Sequence, residues 1–334
     1  MSRNLLALSL TASLLAGPAA ADMPDVAVDI APVHSLVARV MADVASPALI
    51  VAPGASPHEY SLRPSEAQAL QDAELVFWVG PELTPWLGDA IGTLAGGAEV
   101  ITLSGLDVTM TLPIREGALF EAHDHDHGGH DDQAHEDHDQ AHDDHGHDHA
   151  HEDHDDHVEG HDHGAHDPHL WLSPENAAAW LNVIAARLSA ADPENAGAYF
   201  ANAAAAQAEL EALSEDIDRM LAPVRGGAFI VFHDAYRYFE AAFDVPASGA
   251  ISLSDATDPS PARIAGIQAR IEEQNVTCVL SEPQFDPGIV AAVMGDGEAR
   301  TGVLDPLGSD LAPGPDLYPQ VLRNLARTLA ECLG

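Results

Sequence analysis

Short apolar runs rich in β-branched residues alternate along the chain with segments whose apolar positions recur every three or four residues. In the first half, residues 26–30, 48–52, 75–79 and 100–103 read as strands, and 34–44, 64–73 and 83–94 as helices. Pro32 precedes the first helix, and Pro64 suits the opening turn of the second. The turn-rich Pro53-Gly54-Ala55-Ser56-Pro57 follows the second strand. The second half repeats the alternation, with strands at 228–232, 276–280 and 300–304 and helices at 236–243, 264–274, 287–294 and 317–333. Strands alternating with helices imply βαβ units and parallel sheets. The pattern therefore predicts an α/β protein of two lobes with a cleft between them.

Two longer helical segments lie between the halves. Ser173-Pro174-Glu175 is a good helix start, with Ser173 as N-cap and Pro174 at the first helical position, and this helix runs to about residue 190. Asp192-Pro193-Glu194 opens another, Ala-rich and amphipathic, which Pro223 stops near Leu221. Such a helix is a rod of roughly 45 Å. That length fits a connector between lobes; a helix packed on one sheet is the alternative. The expected division is 22–191 for the first lobe, 192–222 for the connecting helix and 223–334 for the second lobe.

One stretch breaks the pattern. Residues 121–167 hold 16 His and 18 Asp+Glu, no Arg and almost nothing apolar. The histidines are His123, His125, His127, His130, His135, His138, His142, His145, His147, His149, His151, His154, His157, His161, His163 and His166. Such a segment cannot offset its ordering entropy by burial and is expected to be disordered without metal. Dense neutral imidazoles offer many weak sites for divalent metals, and the carboxylates concentrate cations around them. The expected role is an auxiliary collector or sensor of divalent metal; a solvated spacer is the bland alternative.

Charge narrows the partners. Of 334 residues, 54 are Asp or Glu and 13 are Arg, with no Lys, for a formal net charge of −41. That balance repels nucleic acid and anionic lipid. Residues 1–21 read as a secretory signal: Arg3 supplies the positive start, 5–15 the apolar run, and Ala19-Ala20-Ala21 the cleavage site before Asp22. The run is too short to span a bilayer. We expect an exported, periplasmic monomer with no membrane insertion. In that oxidising compartment Cys278 and Cys332 are expected to pair, closing a loop of about 55 residues worth roughly 4 kcal/mol. Two buried free thiols are the alternative.

Four histidines stand outside the insert. His58 follows a predicted strand, His233 ends another, and His169 precedes the Ser173 helix start, whereas His34 lies inside the first helix and reads as a surface or packing residue. In open α/β sheets, ligands bind beyond the carboxyl ends of strands. Three imidazoles and one further ligand suit tetrahedral Zn²⁺. Glu282 and Asp305 occupy similar strand-end positions.

The segment 54–65, Gly-Ala-Ser-Pro-His-Glu-Tyr-Ser-Leu-Arg-Pro-Ser, resembles the first metal loop of the zinc-binding solute-binding proteins of ABC importers, the ZnuA-type family. His-Leu-Trp-Leu-Ser-Pro at 169–174 and Val-Phe-His-Asp-Ala-Tyr at 231–236 resemble its second and third motifs. Ser-Glu-Pro-Gln-Phe at 281–285 and Thr-Gly-Val-Leu-Asp-Pro-Leu-Gly at 301–308 are similar to further strand-end segments, and the two cysteines fall where bridged members carry theirs. The resemblance implies two α/β lobes joined by a rigid long helix. It further implies one Zn²⁺ in the cleft held by His58, His169 and His233, and delivery to an inner-membrane permease driven by an ATPase. Manganese-binding relatives place a carboxylate at the third position, so His233 argues for zinc. Some zinc-specific members carry Glu immediately before the first His as fourth ligand; here that residue is Pro57, which cannot coordinate. Water, Asp305 or a histidine from the insert are the candidates for the fourth position, with Glu282 and Glu59 behind them.

Three other functions compete: a metal-storage or metal-resistance protein centred on the insert, a Mn²⁺-binding transport protein, and a zinc hydrolase. Against the last, the chain has no nucleophile elbow and no H-E-x-x-H, so no enzyme activity is expected.

Overall fold

The computed structural model describes residues 23–115, 117, 120, 166–252, 259–295, 297 and 299–334. The expected signal segment and all of the insert except His166 and Asp167 lie outside the described residues. The first half forms strands β1 (Val26–Val28), β2 (Ala48–Leu49), β3 (Leu75–Trp78) and β4 (Glu99–Thr102), with helices α1 (Ala31–Val40), α2 (Pro64–Asp72) and α3 (Pro85–Leu94). Helices α4 (Pro174–Ala191) and α5 (Ala196–Leu221) follow. The second half holds β5 (Phe229–His233), α6 (Arg237–Phe243), β6 (Gly249–Ser252), α7 (Pro261–Glu273), β7 (Cys278–Ser281), α8 (Pro287–Met294), β8 (Arg300–Val303) and α9 (Leu317–Leu333).

Each half makes one four-stranded, wholly parallel sheet, in orders β2-β1-β3-β4 and β6-β5-β7-β8. The expected two α/β lobes are therefore present, and the same strand order occurs twice. In each sheet the order reverses beside the first strand, β1 or β5, which opens a crevice at its carboxyl end.

The alternation of side chains along each strand divides the apolar residues into three cores. Val26 and Val28 of β1, Phe229 and Val231 of β5, and Cys278 and Leu280 of β7 face one central cluster. Ala27 faces an outer core with Leu70, Leu87 and Ile91 of α2 and α3. Ile230, Phe232 and Val279 face another with Ile267, Val290 and Val293 of α7 and α8. The central cluster belongs to both sheets and also takes in α1, α4, α5 and α9.

Helix α5 buries Tyr199, Ala203, Ala206, Leu210, Leu213, Ile217 and Leu221, one stripe at spacings of three and four. It begins at Ala196, after the N-cap residue Asn195, rather than at Asp192, which ends α4 and whose carboxylate holds the turn between the two helices. The Asp192 carboxylate accepts from the Asn195 side-chain amide (2.7 Å) and the Tyr199 hydroxyl (2.8 Å). A 3₁₀ turn, Ala222–Val224, extends the rod to the second lobe. The helix is packed along its length against α1, α4 and α9. Cys278 and Cys332 are bridged, joining β7 to α9, as the export reading led us to expect. Strand β6 was not predicted; Gly249-Ala250-Ile251-Ser252 is a short edge strand with one large apolar residue. Among the described residues no helix is long and apolar enough to cross a membrane.

Candidate metal centre

Three chain segments meet at the cleft. His58 is carried by the loop after β2, whose ladder runs past the strand proper through Ile50 N–H to the Val28 carbonyl (2.9 Å) and Val51 N–H to the Asp29 carbonyl (2.8 Å). Gly54 then turns the chain with φ +78°, a conformation that suits a residue without Cβ. The Trp86 indole donates to the Pro57 carbonyl (2.8 Å) and the His58 amide to Ser56 Oγ (3.2 Å), so the loop is held on both sides of the imidazole. Glu66 fixes the loop's far end by accepting from the Tyr60 hydroxyl (2.8 Å) and the Arg63 amide (2.7 Å). His169 opens a 3₁₀ turn, Leu170–Leu172, before α4, where Ser173 caps the helix by accepting from the Asn176 amide. His233 is the last residue of β5, at the point where the second sheet's order reverses.

One ring nitrogen from each of His58, His169 and His233 lies within 4.8 Å of the other two, the one such group of three among the described residues. His169 and His233 are buried and His58 half-buried. The Nε2 atoms of His169 and His233 are 3.3 Å apart. A tetrahedron with Zn–N bonds of about 2.0–2.1 Å has N–N edges of about 3.3–3.4 Å, so this spacing suits zinc.

Each buried imidazole has a carboxylate behind it. His169 Nδ1 is 2.8 Å from Asp167 Oδ1, and His233 Nδ1 is 2.7 Å from Glu282 Oε1. The same oxygens accept the backbone amides of His169 (2.9 Å) and His233 (3.2 Å). An ionised carboxylate only accepts, so each Nδ1 carries the proton and each Nε2 lone pair faces the cleft. Two lone pairs aimed at one point repel unless a cation or proton lies between them. Burial pushes the Asp167 carboxyl up to about 6, opposed by the His169 amide and the Arg115 charge, so it is mostly ionised at neutral pH.

The remaining candidates are placed differently. Glu282 is buried and lines the cleft, but it sits on the Nδ1 side of His233, the far side of the ring from the converging nitrogens. Asp305 lies outside the group of three, and its oxygens accept the amides of Leu307 (3.0 Å), Gly308 (2.9 Å) and Ser309 (2.5 Å). Glu59 is exposed, and Pro57 is buried beside His58. His34 is buried with Nε2 3.1 Å from the Pro47 carbonyl, which is the packing role of the two foreseen. His166 is exposed and bridges to Pro113. The other fifteen insert histidines lie outside the described residues. Sequence reasoning missed Asp167 as the partner of His169; the Asp-Pro-His spelling at 167–169 was its only signal.

The space between the imidazoles measures 20 Å³, walled by Trp171, Phe285, Pro306 and Leu307. That admits an ion or a water, not an organic substrate.

A family model described as zinc-uptake complex component A, periplasmic, matches residues 26–332. The high-affinity zinc uptake system protein ZnuA of Brucella abortus is 46% identical over 335 residues, 99% of this chain and 99% of its own. Its namesake from Paracoccus denitrificans is 47% identical over 319 residues, 95% of this chain and 94% of its own. A crystal structure of ZnuA shares the fold, with a TM-score of 0.72 at 24% identity over 94% of this chain and 100% of that one.

Proposed function

Since the chain belongs to the periplasmic zinc-uptake component A family, the ZnuA family, we propose that it captures Zn²⁺ between its lobes and delivers it to the ABC permease of a zinc importer. The observation that carries this reading is the convergence of His58, His169 and His233, with carboxylates behind two of them, on a space the size of one ion. A neutral three-imidazole set favours Zn²⁺ over Mn²⁺, which prefers oxygen ligands. Zinc is cargo here, and no turnover accompanies it. Water is our choice for the fourth position, since Pro57 has no donor, Glu282 backs His233, and Asp305 is occupied by backbone amides.

The chain is exported, its signal segment is removed after Ala21, and it works as a periplasmic monomer. The insert gathers zinc weakly beside the cleft, which its 16 histidines and its end next to His169 support. Calorimetry on metal-stripped protein tests the core of this: one tight Zn²⁺ per chain is expected, absent in His169→Ala and His233→Ala. Retention of that site in both variants would overturn the assignment.

A further inference from the structure

Residues 106–115 leave the first sheet and cross to the second lobe along α4. The Trp180 indole donates to Thr109 Oγ1 (2.9 Å), and the Asn176 side chain brackets Met110, donating to its carbonyl (3.0 Å) and accepting from its amide (2.8 Å). Two residues on, the Tyr238 hydroxyl of α6 accepts from the Leu112 amide (2.9 Å) and donates to the Asp167 carbonyl (2.9 Å). The Asp167 amide in turn donates to the Leu112 carbonyl (2.8 Å), and Pro113 bridges antiparallel to His166. Chain entering at 112–113 and chain leaving at 166–167 are thus joined side by side on α6, two residues before His169.

Arg115 ends this run. It donates from Nη1 to Asp234 Oδ1 (2.8 Å) and from Nη2 to Glu240 Oε2 (2.6 Å), and it lies 3.9 Å over the Phe120 ring. Asp234 directly follows His233, and Glu240 lies in α6. Asp167, Asp234 and Glu240 are all buried. Arg115 is the single Arg or Lys between positions 64 and 186 of the sequence, and its side chain is only 18% exposed. A half-buried guanidinium with two buried carboxylate arms is not a surface ion pair: removing it leaves buried charges uncompensated, and they separate or take up protons.

We propose that Arg115 is a positioning residue of the metal centre, tying the paired strap 112–113/166–167, and with it Asp167 and His169, to the 233–240 segment that carries His233. The strap sets the separation of the two buried imidazoles before metal arrives. The spacing of 3.3 Å between their Nε2 atoms depends on two carriers far apart in sequence, and Arg115 with Tyr238 joins those carriers outside the centre itself. This inference rests on the zinc-capture reading.

The test compares zinc release from the full chain into excess chromogenic chelator, alongside the visible spectrum of the Co²⁺ form. Arg115→Met is expected to speed release at least about 10-fold, as loss of an outer partner of a ligand does, and to alter the Co²⁺ bands. Arg115→Lys, which keeps the charge but not the two-pronged guanidinium, should recover part of the loss. A lower melting temperature with release rate and Co²⁺ bands unchanged overturns the proposal. Should Arg115→Met fail to fold, Glu240→Gln removes one arm and is read the same way: faster release supports the strap, unchanged release overturns it. Wild-type protein without a tight site overturns the zinc reading and the strap together, whereas tight wild-type binding that these variants leave unaltered overturns the strap alone.

Discussion

A histidine offers one nitrogen to a ligand while the other is spoken for, and Asp167 and Glu282 hold the Nδ1 atoms of His169 and His233. Replacing Glu282 by Ala removes the acceptor for both the ring and the backbone amide of His233. A 10- to 100-fold weaker zinc affinity is expected, measured by competition with a chelator of known affinity. Acid acts at the same atoms. Metal needs neutral imidazole, so lowering the pH puts protons in competition with zinc, and affinity falls. Titrations at pH 7.5 and 5.5 should differ by more than 10-fold; equal affinities would contradict an all-imidazole site. Asp29, in the residue after β1, works in the opposite sense on stability. Burial raises its carboxyl from 3.8 to about 7 although the Ile30 and Val79 amides donate to it. The folded state therefore holds a proton that the unfolded chain releases near pH 4. The stability this proton supplies is complete below that pH and is lost as pH rises through about 7. Urea midpoints at pH 5 and 8 should fall more in wild type than in Asp29→Asn. The three converging histidines were legible because His58 follows a strand pattern, His233 ends one and His169 precedes a helix start. Their carboxylate partners were not: Glu282 is 49 residues from His233, and only the folded β5–β7 pairing brings them together.

At the scale of elements, legibility followed signal strength. Helices α8 and α9 begin and end where the sequence places them, set by the Pro287 start and a strongly amphipathic stripe. Strand β6 escaped because two of its four residues are Gly and Ala. The start of α5 was displaced because Asp-Pro-Glu resembles a helix opening, while Asp192 is spent on Asn195 and Tyr199. The disulfide acts between elements. It spans a sequence separation of 54 and fastens α9 beneath β7, whose end leads into Glu282. Reduction, or Cys332→Ser, is expected to cost about 4 kcal/mol in the chain-entropy account, read from denaturant midpoints with and without reductant. Zinc affinity should change far less than stability.

For the whole molecule, the −41 charge divides into an acidic body and a dense local run at 121–167, which ends two residues before His169 in sequence. Removing residues 123–165 takes out fifteen of the sixteen insert histidines and leaves the paired strap in place. Calorimetry on that variant should show one tight equivalent retained and the weak ones gone. The two sheets repeat one strand order, yet they do not own separate interiors, since Val28 of β1 and Val231 of β5 belong to the same cluster. Helix α9, last in sequence, reaches back to the first half, where the Tyr318 amide donates to Ser35 Oγ (2.9 Å). A chain severed between its halves would thus yield two fragments, each baring an apolar face that only the other can cover. Neither is a portable module, and co-expression of both, rather than either alone, is what should restore a soluble complex.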